Sequence, residues 1–440
     1  MITKADARKI VAKAIAESEA DDVQVSLNGG RRTHLRFARN GVTTSGTDEH
    51  RTLSVTASFG NQSASASGND FSLQGIVDVV RRAEAMAKLS PADPEHMPTL
   101  GPQKYVQVEA YAPTEDPEAM ARGVKICTDA ASKAGLYAAG FGIDNQNYSC
   151  VASKNGLFAW HKSSGAQVST TVRTTDGKGS GWAAKAGNRL EDLDFDGLAA
   201  TAVHKAETSA NTTKLEPGTY VTILEPACVA SLLGLLMGGV SARSAEEGRS
   251  FFSKPGGGNR LGEELFPKWL HVRSDPALKE APVSPWTGAG LPRKARDWIR
   301  GGALRRFSRS RFWAKKTGRP VEPSGGNWHL GTTGETTEDL IATTERGVLI
   351  TSLWYIRGVD PQSMLFTGLT RDGVFWIEDG KIARPVNNFR WNDSPVSVFG
   401  NALAVSKSIR PGGRGGRGGR VVVPALKTAK FALSSVSDAV

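Results

Sequence analysis

The spacing of the histidines is the first feature of this sequence that bears on chemistry. The chain has 440 residues and seven histidines, and no two of the histidines lie within five residues of each other. A zinc site on one helix needs two histidines about one turn apart and a glutamate that can activate water. The sequence therefore lacks a helical zinc motif, and a metal site would have to be assembled from distant residues such as His161, His204 and His271.

Other catalytic signatures are also missing. The sequence contains no Gly-x-Ser-x-Gly elbow, no phosphate-binding P-loop and no Gly-x-Gly-x-x-Gly between a strand and a helix. His161 lies among polar residues of a predicted strand, which favours an exposed structural histidine over a general base. Glu246 and Glu247 are adjacent, so their side chains diverge on a helix, and we predict a solvated turn rather than an acid–base pair.

Composition indicates a globular protein of a reducing compartment. Hydrophobic residues make up 39% and charged residues 22% of the chain, which excludes global disorder. The three cysteines are too few and too widely spaced for a disulfide framework or a Cys-x-x-Cys metal pair. No run of about 18 apolar residues occurs, and the first residues include acids. We therefore expect a cytoplasmic protein without a membrane span.

Positive charge is concentrated in one segment. Residues 293–319 contain eleven basic residues and one acid, Asp297, so that most of the net charge of +11 lies there. Such a stripe can bind nucleic acid or an acidic partner, but it is more often the solvated face of a pair of strands. The Gly/Arg repeat at 412–419 is weak support for RNA contact. A nucleic-acid-binding protein is thus an alternative, and not the favoured one.

Periodicity and turn residues predict an α+β fold, with an N-terminal region of helices and antiparallel sheet followed by a large β-rich domain. Helical spacing is clear in residues 4–19, and Asp70 or Ser72 would cap a second helix that ends near Leu89. The stretch 91–117 is rich in proline and is typical of a linker. The predicted organisation is an α+β subdomain at 1–92, a linker at 93–116, an α+β segment at 117–212 and a β-rich domain at 213–440. Within the last domain we predict a mobile Gly/Arg loop at 411–420, after which the final segment packs back on the domain.

Two decapeptides are built alike and predict two similar hairpins. Residues 298–307 read WIRGGALRRF and residues 376–385 read WIEDGKIARP. Each places a turn pair ending in glycine after Trp-Ile. Asp379-Gly380 suits a type I′ turn, in which both central φ angles are positive.

Several long segments of the chain resemble the TldD/PmbA family, whose members were once called modulators of DNA gyrase. The resemblance implies zinc-dependent proteolysis of small unfolded peptides, and dimers of one chain, or of a TldD-type with a PmbA-type (TldE) chain, that enclose a peptide cavity. The segments that carry it are THLRFARNGVTTSGTDEHRTLSVTASFG, SKNGLFAWH, LEPGTYVTILEPACVASLL, SAEEGRSFF, TGLTRDGVFWIEDGKIARPVNNFRWNDS and SSVSDAV.

The chain departs from that family at one decisive place. TldD-type chains carry His-Glu-x-x-x-His on a helix, and the corresponding window here, residues 233–238, reads LGLLMG. Leucine, methionine and glycine offer zinc no suitable ligand. The resemblance therefore implies a PmbA/TldE-type chain with no catalytic residue and no metal of its own, whose partner is a TldD-type homologue that holds the zinc, or a second copy of itself. An autonomous metallopeptidase with unconventional ligands and a gyrase-associated nucleic-acid binder remain the alternatives.

The resemblance also gives a role to the polar group before the second hairpin. In a sheet that lines a peptide cavity, Thr370, Arg371 and Asp372 would lie at the mouth, where an extended peptide could add as a strand. The alternative is that Arg371 and Asp372 form an ordinary ion pair that closes a turn.

Overall fold

The computed structural model describes residues 1–111, 116, 118–331, 334–414 and 419–438. About 24% of the chain is helix and 40% is strand, which confirms the predicted α+β class. Residues 415–418 of the predicted Gly/Arg loop and residues 112–115 of the predicted linker lie outside the described residues. Within the described ranges, no helix combines the length and the apolar character needed to cross a bilayer.

The N-terminal half is built on one antiparallel sheet that takes strands from both the 1–92 and the 117–212 segments. Its strands are β1 (Asp22–Ala38), β2 (Gly41–Phe59), β3 (Gln62–Gly68), β4 (Tyr137–Ser153), β5 (Phe158–Arg173) and β6 (Ser180–Gly187). They pair in the order β3-β2-β1-β4-β5-β6. Positive φ angles fall on Arg39 and Asn40, which form the turn between β1 and β2. Strands β1 and β2 are long because their backbone pairing continues through polar stretches that lack apolar alternation.

Four helices cover one face of this sheet. They are α1 (Lys4–Glu17), α2 (Leu73–Leu89), α3 (Ala119–Lys133) and α4 (Phe195–Thr208). The first two pack on one end of the long strands and the last two on the other end, which gives two separate apolar clusters. Ser72 caps α2 as predicted, because its hydroxyl accepts a hydrogen bond from the Gly75 amide at 3.1 Å. The opposite face of the sheet is left for the C-terminal half.

The C-terminal half contains a mixed sheet of nine described strands, a small second sheet and short helices. The elements are β7 (Gly218–Leu224), α5 (Pro226–Gly238), α6 (Ala242–Glu246), β8 (Val272–Ser274), β9 (Arg296–Arg300), β10 (Ala303–Leu304), α7 (Arg311–Thr317), β11 (Trp328–Leu330), α8 (Thr337–Ala342), β12 (Arg346–Ile350), β13 (Leu353–Asp360), β14 (Leu365–Thr370), β15 (Val374–Glu378), β16 (Lys381–Pro385), β17 (Asn388–Asp393), α9 (Pro395–Gly400), β18 (Ala402–Val405), β19 (Val421–Val422) and β20 (Leu426–Ser437). The large sheet has the order β13-β14-β17-β20-β7-β12-β15-β16, with β18 also on β20. The last strand is thus central, which confirms that the terminal segment packs back on the domain.

Both predicted hairpins are present. β9 and β10 are joined by Gly301-Gly302, and β15 and β16 by Asp379-Gly380. All four turn residues have positive φ angles, as a two-residue turn of this type requires.

Candidate functional site

Helix α5 has one face of bulky residues and one face of small residues. The bulky face, which includes Leu232, Leu233 and Leu236, is fully buried in the main core. The small face consists of Ala227, Ala230, Ser231 and Gly234, whose spacing follows one stripe of a helix. Because this stripe carries almost no side-chain bulk, it leaves open space beside the helix.

A cavity of about 780 Å³ occupies that space. It lies between α5, the first residues of β13 and the face of the N-terminal sheet that the four helices leave uncovered. Its lining residues are Arg36 and Trp182 from the N-terminal sheet, Ala227, Ala230, Ser231 and Gly234 from α5, Ser352, Leu353 and Trp354 around the start of β13, and Pro411, Gly412, Gly413, Arg414, Gly419 and Val421 from the Gly/Arg segment and its flanks. Both halves of the chain therefore contribute to the cavity.

The part of α5 that the resemblance matches to a zinc-binding helix, residues 233–238, offers no ligand suited to zinc. Leu233 and Leu236 point into the core and are 0% exposed. Gly234 and Gly238 have no side chain, and a Cβ added at either would meet no atom within 4 Å. Zinc requires nitrogen, sulfur or carboxylate ligands, and neither of these glycine positions provides one.

The nearest thiol is also unsuited to metal binding or nucleophilic attack. Cys228 is fully buried, and its Sγ lies 3.5 Å from the Ile350 carbonyl oxygen, to which it donates. Burial raises the pKa of this thiol far above its usual value, against a smaller opposing effect of Lys205. The neutral thiol therefore persists at physiological pH, and a neutral thiol is neither a zinc ligand nor a nucleophile.

The three histidines considered as alternative ligands lie in different environments. The rings of His161 and Trp286 make a T-shaped contact, with the ring centroids 5.9 Å apart. His271 Nε2 lies 2.9 Å from an Asp297 carboxylate oxygen, and His204 is exposed on α4. Across the described ranges, no group of three or more His, Cys, Asp or Glu side chains is placed to hold a metal ion.

The prediction that His161 is exposed is wrong. Its side chain is 8% exposed, and its Nε2 is buried without a hydrogen-bond partner among the described residues. Burial, together with the Arg420 guanidinium, lowers the pKa of His161 to about 4. The histidine lies on the sheet face opposite the helices, and the C-terminal half covers that face, which strand periodicity alone could not reveal.

Of the three predicted peptide-binding residues, Arg371 is accessible and the other two are buried. Thr370 is 0% exposed and holds β17, because its hydroxyl donates to Asn388 Oδ1 and accepts from the Phe389 amide, both at 2.9 Å. Asp372 is 1% exposed and has a φ of 58°. The Arg371 side chain is 28% exposed, and its Nε lies 3.9 Å from Asp372 Oδ2. The peptide-binding role of this trio stays a prediction.

The main ionic partner of Asp372 is Arg414, which the sequence did not single out. An Arg414 Nη donates to Asp372 Oδ2, and Ser180 donates to Oδ1 at 2.6 Å. The Arg414 guanidinium lies 4.6 Å from the ring centroid of Trp182 and 5.3 Å from that of Trp354. Burial lowers its pKa, while Asp372 opposes that effect. No local signal could identify this residue, since it lies in a low-complexity Gly/Arg repeat.

Three family models match the chain in sequence order. They are described as PmbA/TldA metallopeptidase domain 1, central domain and C-terminal domain, and they match residues 23–87, 66–210 and 217–435. The chain is also 22% identical over 414 residues to the Metalloprotease PmbA of Escherichia coli O157:H7, an alignment that covers 90% of this chain and 87% of that protein.

Solved structures share the fold over nearly the whole chain. TldE from Thermococcus kodakarensis is 18% identical with a TM-score of 0.83, and the match covers 97% of this chain and 100% of that chain. A putative modulator of a DNA gyrase from Thermotoga maritima is 16% identical with a TM-score of 0.82, and the match covers 97% and 99% of the two chains.

Proposed function

The chain belongs to the PmbA/TldD metallopeptidase family, and from this premise we propose that it is the PmbA/TldE-type, non-catalytic subunit of a zinc metallopeptidase that processes small unfolded peptides. In this role it shapes the peptide cavity, while a TldD-type homologue with the His-Glu-x-x-x-His helix supplies the zinc and the catalytic glutamate. We expect the complex to act in the cytoplasm as a heterodimer.

The observation that carries this proposal is the small-residue face of α5. The helix borders a cavity large enough for a peptide segment, yet it presents Ala227, Ala230, Ser231 and Gly234 to it. These residues leave room for substrate and offer no group to activate water. A wall of this kind supports substrate binding without hydrolysis by this chain.

The edge of the nine-stranded sheet supports an extended peptide as the occupant. Strand β13 is the outermost strand on this side, and it begins with Leu353 and Trp354 of the cavity wall. Trp354, Tyr355 and Val359 on it are 38%, 59% and 55% exposed. An edge strand offers unpaired amide and carbonyl groups, so a peptide can join the sheet by strand addition.

The test compares the purified chain with its complex. We expect the isolated chain to carry no stoichiometric zinc by elemental analysis and to cleave no unfolded peptide. We expect zinc and hydrolysis to appear together when it is co-purified with a homologue that carries His-Glu-x-x-x-His. Stoichiometric zinc in the chain alone, or hydrolysis that survives rigorous removal of every partner, would overturn the proposal and favour an autonomous metallopeptidase.

A nucleic-acid function receives less support from the basic segment at 293–319. Arg309 pairs with Glu246 at 3.2 Å, and the two side chains are 10% and 17% exposed. Arg296 and Arg306 share Glu322. These three arginines are therefore paired with carboxylates of the protein, which makes their charge less available to phosphates. Nucleic-acid binding that is unaffected by deleting residues 411–420 and by neutralising Arg305, Arg306 and Arg309 would count against this alternative.

A further inference from the structure

The cavity beside α5 adjoins a second cavity, and Arg414 lines both. The second cavity has a volume of about 400 Å³, and Arg371 and Asp372 are in its wall. We call the two cavities together the arginine cleft. Its charged lining residues are Arg36, Arg39, Arg173, Arg371, Arg414 and Asp372.

The carboxylate of Asp372 does not neutralise this cleft. Its two oxygens accept hydrogen bonds from Ser180 and Arg414, and its side chain is 0% exposed. Its negative charge therefore offsets the charge of Arg414 and is not exposed to the cleft. Arg36 and Arg39 are exposed at the rim. The cleft therefore presents an excess of positive charge to a ligand. Its walls are partly apolar, so solvent screens this charge less than it would at an open surface.

Two of these guanidinium groups have hydrogen-bonding capacity to spare. Nε of Arg414 and Nε of Arg371 are both buried, and neither has a hydrogen-bond partner among the described residues. The remainder of each side chain is partly accessible, 28% for Arg371 and 23% for Arg414. A carboxylate that enters the cleft can therefore reach these guanidinium groups, and it accepts from a guanidinium in the strongest geometry.

The aromatic rings hold these cations in place before any ligand arrives. The Arg414 guanidinium lies 4.6 Å from the ring centroid of Trp182 and 5.3 Å from that of Trp354, and the Arg371 guanidinium lies 5.4 Å from the Trp354 centroid. Stacking on tryptophan restricts the rotamers of both arginines. Less conformational entropy is then lost when an anionic group binds.

We propose that the arginine cleft selects acidic segments of unfolded peptides, with glutamate or aspartate carboxylates of the peptide bound by Arg371, Arg414 and Arg36. The inference rests on the proposed peptide-binding function and adds a substrate class to it. A peptide paired with the outer edge of β13 directs alternate side chains to one face, and Trp354 at the start of β13 contacts both Arg371 and Arg414. The edge strand favours a peptide over a nucleic acid, which has no backbone groups to complete a sheet.

The test measures direct binding to the full chain, alone and in complex with a catalytic homologue. The probes are fluorescein-labelled peptides of eight residues, the length of β13, in which glutamate alternates with valine or threonine, and a matched peptide with glutamine at each glutamate position. We expect the glutamate peptide to bind about tenfold more tightly by fluorescence anisotropy. That preference should shrink as salt rises from about 0.05 to about 0.5 M.

Matched variants locate the effect. Arg371→Gln should lower affinity for the glutamate peptide about tenfold and leave the glutamine peptide unchanged. Arg36→Gln, at an exposed position of β1, should act in the same direction. Arg305→Gln removes the same charge from an exposed position outside the cleft and should change neither affinity.

Each other outcome overturns the inference. Equal affinity for the two peptides removes the acidic preference and leaves the proposed function standing. Failure of both peptides to bind the chain and its complex removes the proposed function as well. Tighter binding of a single-stranded oligonucleotide of equal charge, lost in Arg371→Gln, assigns the cleft to nucleic acid instead.

Discussion

Asp372 shows how single residues join distant parts of this chain. Its carboxylate accepts hydrogen bonds from Ser180 on β6 and from Arg414 in the Gly/Arg segment. Its φ of 58° lies in the left-handed region, which aspartate tolerates better than most residues. The residue therefore links the two halves of the molecule beside the cavity.

Replacing Asp372 with asparagine should destabilise the protein by roughly 3–5 kcal/mol, because Arg414 would keep a largely buried charge without its counterion. Urea unfolding measures the effect. Asp379→Asn is the matched control, since Asp379 also has a positive φ of 50° and is exposed. Equal unfolding free energies for the two variants would contradict the role assigned to the Asp372–Arg414 pair.

His161 should make stability depend on pH at the acid side of neutrality. Its pKa is 6.5 in the unfolded chain and about 4 in the fold, so the unfolded state binds more protons between these values. The neutral imidazole makes its full contribution to the free energy of unfolding above pH 6.5. This contribution, about 3 kcal/mol in all, is lost as pH falls towards 4.

The His161 prediction is checked by unfolding His161→Gln and the wild type in urea from about pH 7 to about pH 4.5, which covers most of the interval between the two pKa values. The difference in unfolding free energy between the two should narrow as pH falls. His204→Gln, at an exposed position of α4, should run parallel to the wild type. A wild-type curve parallel to that of His161→Gln would show that the pKa of His161 does not change on folding.

At the scale of elements, the two hairpins use their turn residues in the same way. In each, the second turn residue approaches a neighbouring backbone: a Cβ at Gly302 would lie 2.1 Å from the Phe266 carbonyl oxygen, and one at Gly380 would lie 2.6 Å from that of Ala342. The first position has space, since a Cβ at Gly301 would meet nothing within 4 Å, and Asp379 occupies the equivalent position. The shared Trp-Ile-x-x-Gly pattern thus reflects a shared packing requirement.

The difference in space between the two turn positions predicts that substitutions at Gly301 and Gly302 destabilise the protein to unequal extents. Gly302→Ala should destabilise by clearly more than about 1 kcal/mol, because backbone strain is joined by a clash that no side-chain rotation relieves. Gly301→Asp, which imitates Asp379, should be destabilising by at most about 1 kcal/mol. Thermal unfolding of both variants decides the matter, and a larger loss for Gly301→Asp would refute the packing explanation.

At the scale of the whole molecule, the order of strands makes the C-terminal sheet depend on the end of the chain. β20 pairs with both β17 and β7 in the middle of the large sheet. The strands of the N-terminal sheet all lie within 22–187. The large sheet therefore needs the last strand of the chain in order to form, whereas the N-terminal sheet contains no described strand from the C-terminal half.

A chain truncated after Ala425 should lose the large sheet and keep the N-terminal sheet, because only the former loses a central strand and its hydrogen bonds. Hydrogen exchange measures this: amides of β7 and β17 should lose protection, whereas those of β1 and β4 serve as the internal control and should keep it. Full protection of β7 in the truncated chain would contradict the central role of β20.

The sequence by itself determined whatever depends on neighbours along the chain. Apolar spacing predicted the α+β class and the first two helices, Asp379-Gly380 predicted the second hairpin, and the residues at 233–238 include no His, Cys, Asp or Glu. Each follows from local backbone preference or from side-chain chemistry, which do not change on folding.

Only the tertiary structure decided which residues meet. It buried His161 under Trp286, since a strand pattern cannot say whether a second layer covers its polar face. It brought Arg414 to Asp372 across 42 positions of sequence and to Trp182 from the other half. Charge pairing and burial arise from long-range packing, and so the arginine cleft could not be found in the sequence of a Gly/Arg repeat.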